Sequence, residues 1–265
     1  MSFNLLLGPA APELGWVPAP RYLLRRDRVR RMLKNVPTGR LLEIGPGAGA
    51  LLVESANIGF QCEALESSPE AQMLTKEFVR QFNLSIPINE SAGTDWSDKF
   101  DVVCAFDVLE HIENDREALE QWCSWLKPGG TLLLSVPAHM KRWNSSDEWA
   151  GHYRRYERNS LIALLENTGF SVEIFECYGF PLANFAEAVG APVYRSGMVA
   201  RDNSRDEGRQ RGTDLSGVDR RPALKIFPFL EMFPGRLAIW FFLQLQRFFL
   251  KMDWGNGYIL KAVKQ

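Results

Sequence analysis

The chain has 265 residues, 46% of them hydrophobic, and a net charge of −1. This is an ordinary globular composition, long enough for a large core, and it lacks the basic excess that nucleic-acid binding usually requires. The four cysteines (Cys62, Cys104, Cys123 and Cys177) form no C-x-x-C pair and are too sparse for a disulfide framework, which points to a reducing compartment.

The opening MSFNLLLGPAAPELG has neither a basic start nor a long apolar run, so it is not read as a signal peptide, and a cytoplasmic location is expected. Pro20–Asn35 places Tyr22, Leu23, Leu24, Val29, Met32 and Leu33 among arginines, an amphipathic helix bounded by Pro37 and Gly39. Arg40–Ile44 reads as a strand running into a glycine turn, followed by a helix to about Ile58. Gln61–Glu66 is a second strand, Pro69–Phe82 a helix with proline in its first turn, and Ser85–Asn89 a third strand. Asp101–Phe106, DVVCAF, is the continuous apolar run of a strand covered on both faces. Asp115–Leu126 is a helix, Pro128-Gly129-Gly130 a turn and Thr131–Val136 a strand. Asn159–Thr168 is a helix, and Ser171–Cys177 and Gly257–Val263 are the last two strands. Strands alternating with helices predict an α/β fold with a mostly parallel sheet.

Two segments between those last strands stand apart. Arg195–Arg221 is charged and rich in Gly and Ser, and is expected to be a mobile loop. Arg236–Lys251, RLAIWFFLQLQRFFLK, is apolar but interrupted by Gln244, Gln246 and Arg247, and is shorter than the ~20 residues of a membrane span. Three readings stand open for it: a buried or lid helix, a helix at a membrane surface, or a dimer contact.

The stretch LLEIGPGAGA raises the question of the ligand. Gly45, Gly47 and Ala50 fit a dinucleotide fingerprint, and Gly45, Gly47 and Gly49 fit a G-x-G-x-G turn equally well. The neighbours decide. Pro46 removes a backbone donor that a diphosphate would use, and Glu43 sets a carboxylate before the turn, where a cation suits it better. S-adenosylmethionine carries an ammonium, a sulfonium and no phosphate. Glu66, ending the second strand, suits the two ribose hydroxyls of either ligand.

Here the chain resembles the class I S-adenosylmethionine-dependent methyltransferases. LLEIGPGAG, ALESSPE, FDVVCAFDVLEHIEND and WLKPGGTLLLSVP match four successive family segments across Arg40–Phe180, with GYILKAVK as the last strand. The resemblance implies a Rossmann-like sheet of seven strands with the last antiparallel. It implies S-adenosylmethionine as cofactor, S-adenosylhomocysteine as product, and a cofactor site of Glu43, Gly45, Pro46, Gly47, Gly49, Glu66, Ser67, Phe106 and Asp107. Asp95 and Trp96 match the adenine position after the third strand, and Trp16, Tyr22 or Arg26 match an aromatic–arginine cover over the methionine end. The expected organisation is one domain over 1–265, with an N-terminal helical cover (1–39), a cofactor-binding core (40–178), an inserted cap and substrate region (179–254) and the last strand (255–265).

Methyl transfer to a hydroxyl needs a base, and the three histidines are the candidates. His111, beside the expected methyl donor in DVLEH, ranks first. It has two other readings: a metal ligand with Asp107 and Glu110, as in the similar E-x-x-E-H of ubiquinone-pathway O-methyltransferases, or a brace for the next helix. No metal is assigned. His152 lies in DEWAGHYRRYERNSL, which resembles the D…GH-x-RRY segment of bacterial small-molecule methyltransferases. There Arg154 and Arg155 would neutralise an acidic substrate or pair with Asp147. His139, just past the fifth strand, ranks third. The expected activity is methyl transfer, to oxygen first, on a small or lipid-like acceptor; the alternatives are N- or C-methylation of a small molecule or a protein, or binding of S-adenosylmethionine without catalysis. No nucleic-acid partner is expected, and peripheral membrane contact through 236–251 stands as an option.

Overall fold

The computed structural model describes residues 4–199, 212–213, 217–218 and 220–265. Seven strands form one sheet: β1 (Arg40–Ile44), β2 (Gln61–Leu65), β3 (Ile88–Asn89), β4 (Phe100–Phe106), β5 (Leu126–Pro137), β6 (Phe170–Tyr178) and β7 (Gly257–Lys264), in the order β3-β2-β1-β4-β5-β7-β6. The pairs from β3 through β5 are parallel, and β7 runs antiparallel to both β5 and β6. The expected Rossmann-like class I methyltransferase fold is therefore present, with its reversed last strand.

Alternation explains the apolar run of β4. Val102, Cys104 and Phe106 enter one core, and Val103 and Ala105 the other, so both faces are buried. The first core is covered by α1 (Pro20–Leu33), α2 (Ala50–Asn57) and α3 (Pro69–Gln81), the second by α4 (Asp115–Trp125) and α6 (Arg158–Glu166). Local chemistry sets the helix starts: Ser68 accepts from the Ala71 N–H ahead of Pro69, and Asn114 accepts from the Glu117 N–H.

Between β6 and β7 lie α7 (Leu182–Val199), α8 (Arg221–Glu231) and α9 (Phe233–Arg247). Helix α1 packs on α7 and α9. The polar interruptions of the aromatic segment are the pins of that contact. Buried Gln246 donates to the Leu24 carbonyl at 3.1 Å, and Arg247 pairs with Asp27 at 2.9 Å.

Several boundaries differ from expectation. The third strand shrinks to two residues because Pro87, before it, has no N–H to donate. Pro128-Gly129-Gly130 is not a separate turn. It lies inside β5, where the pairing shifts between Phe100–Leu126 and Val102–Thr131. Helix α7 was hidden by Gly190 and Pro192, which read as loop residues. Of the loop expected at Arg195–Arg221, residues 195–199 are helical, and most of the remainder lies outside the described residues. The aromatic helix begins at Phe233 and ends at Arg247.

Candidate active site

A cavity of about 800 Å³ opens at the carboxyl ends of β1 to β4, where the chain leaves β1 toward β2 on one side and β4 on the other. Its floor is the glycine turn at Gly45 and Gly47, whereas Gly49, expected at the cofactor, does not line the cavity and sits against Thr75 and Val79 of α3. Gly45, Gly47 and Gly49 have φ of 60°, 58° and 84°, values that side-chain-bearing residues adopt at a cost. A Cβ at Gly45 would come within 2.7 Å of Val108. The turn therefore presents bare backbone to the cavity, with Glu43 below it and Glu66 and Ser67 at the end of β2 beside it.

The electrostatics are unusual at three carboxyls. Burial pushes the Glu43 carboxyl up to about 8, aided by Glu54 and opposed by Arg25. Asp107 ends β4 with φ 56°. Burial acts to raise it, but Arg21 and Arg25 outweigh that and hold it at about 2. Arg25 donates to Asp107 at 2.5 Å, Arg21 lies 3.6 Å away, and the Ser135 hydroxyl donates at 3.1 Å. Glu110 is fully buried and neither carboxyl oxygen has a hydrogen-bond partner among the described residues. Burial, then nearby Asp107, raises its carboxyl well above the usual range.

His111 and His152 meet edge to face, ring centroids 4.7 Å apart. Burial, then His152, lowers His111 to about 3, and its Nδ1 lies 3.2 Å from the Thr213 hydroxyl. His152 is held differently. Its Nδ1 is 2.9 Å from Asp147 Oδ1, and its Nε2 is 4.0 Å from Glu110. Asp147 sits in α5 (Ser145–Ala150), where it completes a capping box with Asn144. Arg155 grips the same carboxylate through Nε and Nη2 at 2.8 and 2.7 Å, and also reaches Glu187 of α7. Burial acts to raise Asp147, but the His152 and Arg155 hydrogen bonds hold it well below the carboxylate range.

The structure thus brings together most of the residues singled out from sequence. Glu43, Gly45, Pro46, Gly47, Glu66, Ser67, Phe106, Asp107, His111 and His152 all line the cavity. Others sit elsewhere. His139 does not line it and turns instead toward Tyr258 and Glu157. Asp95 is exposed and pairs with Lys99, while Trp96 packs edge to face on Phe100 and Trp125. The residues directly beyond β3, Glu90, Ser91 and Ala92, take the wall expected of Asp95 and Trp96. Arg26 is buried against Glu54 and the Leu6 carbonyl, so Arg21 and Arg25, one helical turn apart, are the arginines that α1 brings to the cavity, beside Arg155 and Arg220 from elsewhere in the chain. Arg154 pairs with Asp115, which also accepts from buried Tyr156, so neither faces the cavity. Glu110, His111 and His152 offer ligand atoms within 4.8 Å of one another, whereas Asp107 pairs with Arg21 and Arg25. Glu187 of α7 and Arg220, at the start of α8, had no sequence signal, because neither helix was visible there.

The fold and this site define an α/β domain with a glycine-floored ligand cavity at the carboxyl ends of its parallel strands. Comparison with known proteins agrees. The methyltransferase domain family matches residues 19–173, more than half of the chain, and the chain belongs to that family. Ubiquinone biosynthesis O-methyltransferase of Xanthomonas campestris is 32% identical over 105 residues, 38% of this chain and 44% of that protein. The chain thus matches less than half the length of that relative. An S-adenosylmethionine-dependent methyltransferase from Mesorhizobium loti superposes with TM-score 0.55 at 13% identity, covering 93% of this chain and 98% of that one. Haemonchus contortus phosphoethanolamine N-methyltransferase 2, in complex with S-adenosyl-L-methionine, superposes with TM-score 0.53 at 18% identity, covering 91% and 52%. At such identities the two structures establish the fold alone. Family and fold together make this a class I methyltransferase domain with S-adenosylmethionine as cofactor. The side-chain-free turn at Gly45 and the buried acid Glu43 fit that cofactor.

Proposed function

We propose that this protein transfers a methyl group to the hydroxyl oxygen of a small or lipid-like acceptor. The observation that carries the reading is the Asp147–His152 couple on the cavity wall. Bound S-adenosylmethionine supplies the electrophilic methyl carbon. Glu66 would hold the ribose hydroxyls, the glycine turn and Glu43 the amino-acid part, and Glu90–Ala92 the adenine side. His152, with Nδ1–H donated to Asp147, presents the Nε2 lone pair for the acceptor's hydroxyl proton, and Asp147 stabilises the imidazolium that results. His111, lowered by burial, stays neutral beside it. The resemblance to a ubiquinone-pathway O-methyltransferase supports oxygen as the acceptor atom. The test is transfer from isotope-labelled S-adenosylmethionine to paired phenol and amine acceptors of equal size. Label on the phenols, lost in His152→Gln with cofactor binding intact, is expected. Label on the amines alone would overturn the oxygen assignment.

Helices α8 and α9 support a lipid-like acceptor delivered from a membrane surface. Among the described residues no single helix is long and apolar enough to cross a membrane, but the two form a pair bent by 100°. One stripe of α9 is buried through Ile239, Leu243 and Gln246, and the opposite stripe, Phe233, Leu237, Trp240 and Phe241, is more than half exposed. A surface helix ordinarily turns polar residues outward. Exposed Lys225, Arg236 and Lys251 make no ion pair among the described residues, and suit anionic headgroups. Co-sedimentation with anionic vesicles at low salt, reduced in the Trp240→Ser, Phe241→Ser double variant, is expected. Absence of binding removes the membrane reading and leaves the methyl transfer untouched.

A further inference from the structure

A second cluster of chemistry-bearing side chains lies outside the cavity, and it uses the histidine that the active site leaves aside. His139 follows β5 with φ 65°, its N–H donating to the Tyr156 carbonyl at 2.8 Å. Its ring is only 4% exposed. Nδ1 faces Glu157 at 3.5 Å and the Tyr258 hydroxyl at 3.4 Å. Nε2, on the other side of the ring, is buried with no hydrogen-bond partner among the described residues and points toward Asp253 Oδ1, 3.9 Å away. Cys177 of β6 is equally buried, and its thiol hydrogen-bonds to Asp253. The His139, Cys177 and Asp253 ligand atoms all lie within 4.8 Å of one another. None of the three lines the cofactor cavity.

We propose that His139 Nε2, Cys177 Sγ and the Asp253 carboxylate form a binding site for a zinc-class divalent cation, separate from the methyl-transfer site. A mixed nitrogen, sulfur and oxygen set with room for a fourth ligand from water is what zinc accepts, while magnesium and calcium avoid thiolates. The surroundings match. The Tyr258 hydroxyl, 3.4 Å from Nδ1, and the Glu157 carboxylate, 3.5 Å away, stand behind the ring, and a proton kept on Nδ1 leaves the Nε2 lone pair for the metal, as a carboxylate behind a metal-bound histidine commonly does. Asp253 is half exposed and opens the site to solvent. Arg158, 3.5 Å from Asp253, already stacks on the Phe175 ring at 4.5 Å and stays there when the metal takes the carboxylate. Binding forms a metal–sulfur bond and releases the thiol proton to solvent. Because the proton must leave for the metal to bind, metal affinity rises with pH. The bound ion would tie the ends of β5 and β6 to the segment entering β7, and so stiffen the loop that carries Asp147 and His152.

Cobalt titration of the chelator-treated full chain tests this. The expected result is one equivalent of cobalt with a thiolate-to-cobalt charge-transfer band in the near ultraviolet, displaced by zinc. The Glu110, His111 and His152 group contains no sulfur and cannot produce that band. The band disappears in Cys177→Ser. In Asp253→Asn, whose exposed position spares the metal-free melting temperature, affinity falls at least tenfold. Absence of the band from the wild-type chain, or its persistence in Cys177→Ser, overturns the proposal.

Discussion

Replacing Glu43 by glutamine separates what this carboxyl costs the fold from what it does for the ligand. Glu43 is 4% exposed, and burial moves it from 4.5 to about 8. The sign follows. Below about pH 4.5 both folded and unfolded chains hold the proton, and the group is neutral for stability. Between 4.5 and 8 the unfolded chain loses its proton while the folded one keeps it, so stability falls as pH rises. Above 8 the loss levels off. At about 1.36 kcal/mol per pH unit, the ~2.5 units between 4.5 and 7 cost roughly 3 kcal/mol. Glu43→Gln should therefore stabilise the ligand-free protein by about 3 kcal/mol at pH 7 and change it little at pH 4. A cation beside Glu43 reverses the balance, because binding expels the proton. Affinity for S-adenosylmethionine should rise as pH approaches 8, and Glu43→Gln should bind weakly with a flat profile. Urea unfolding across pH, paired with calorimetric titration, measures both. Equal stability of the two proteins at pH 7, or unaltered binding by the variant, would refute the reasoning.

His152→Gln should lower the single-turnover rate on a hydroxyl acceptor by about 10²–10⁴ while cofactor affinity holds. Asp147→Asn should do the same and also lower stability by ~3–5 kcal/mol in thermal unfolding, because it leaves Arg155 buried without its bidentate partner. Glu66→Ala should weaken S-adenosylmethionine about 10–100-fold by calorimetry, the worth of hydrogen bonds to a charged group. Gly45→Ala should cost ~1–3 kcal/mol in folding and weaken the cofactor further. Its φ of 60° resists a side chain and the new Cβ meets Val108, and pairing it with Val108→Ala should restore only part of the loss.

Much of this protein was legible in its sequence because the informative signals were local. A strand covered on both faces must be apolar throughout, so DVVCAF announced its position in the sheet. A backbone bent to φ near 60° beside a ligand needs glycine, so the turn at Gly45 to Gly49 and the acids flanking it could be placed before the fold was known. Helix starts at Pro69 and Asp115 followed from proline and side-chain caps within a few residues.

The remainder depended on contacts between distant segments. Arg25 and Arg26 are adjacent on one helix, and only packing sends Arg25 to Asp107 and Arg26 to Glu54. Nothing near His139 and His152 tells which faces the cavity. The bridge between Ala138 and Tyr156, which holds His139 beside Tyr258, and the Asp147 contact that holds His152 decide it. Helix α7 forms despite its Gly and Pro because it packs on α1 and α5, and it brings Glu187 to Arg155. Propensity and periodicity act over a few residues, so they identify elements and turns. Which side chains meet in the cavity is set by long-range packing energy, and only the tertiary structure determines it.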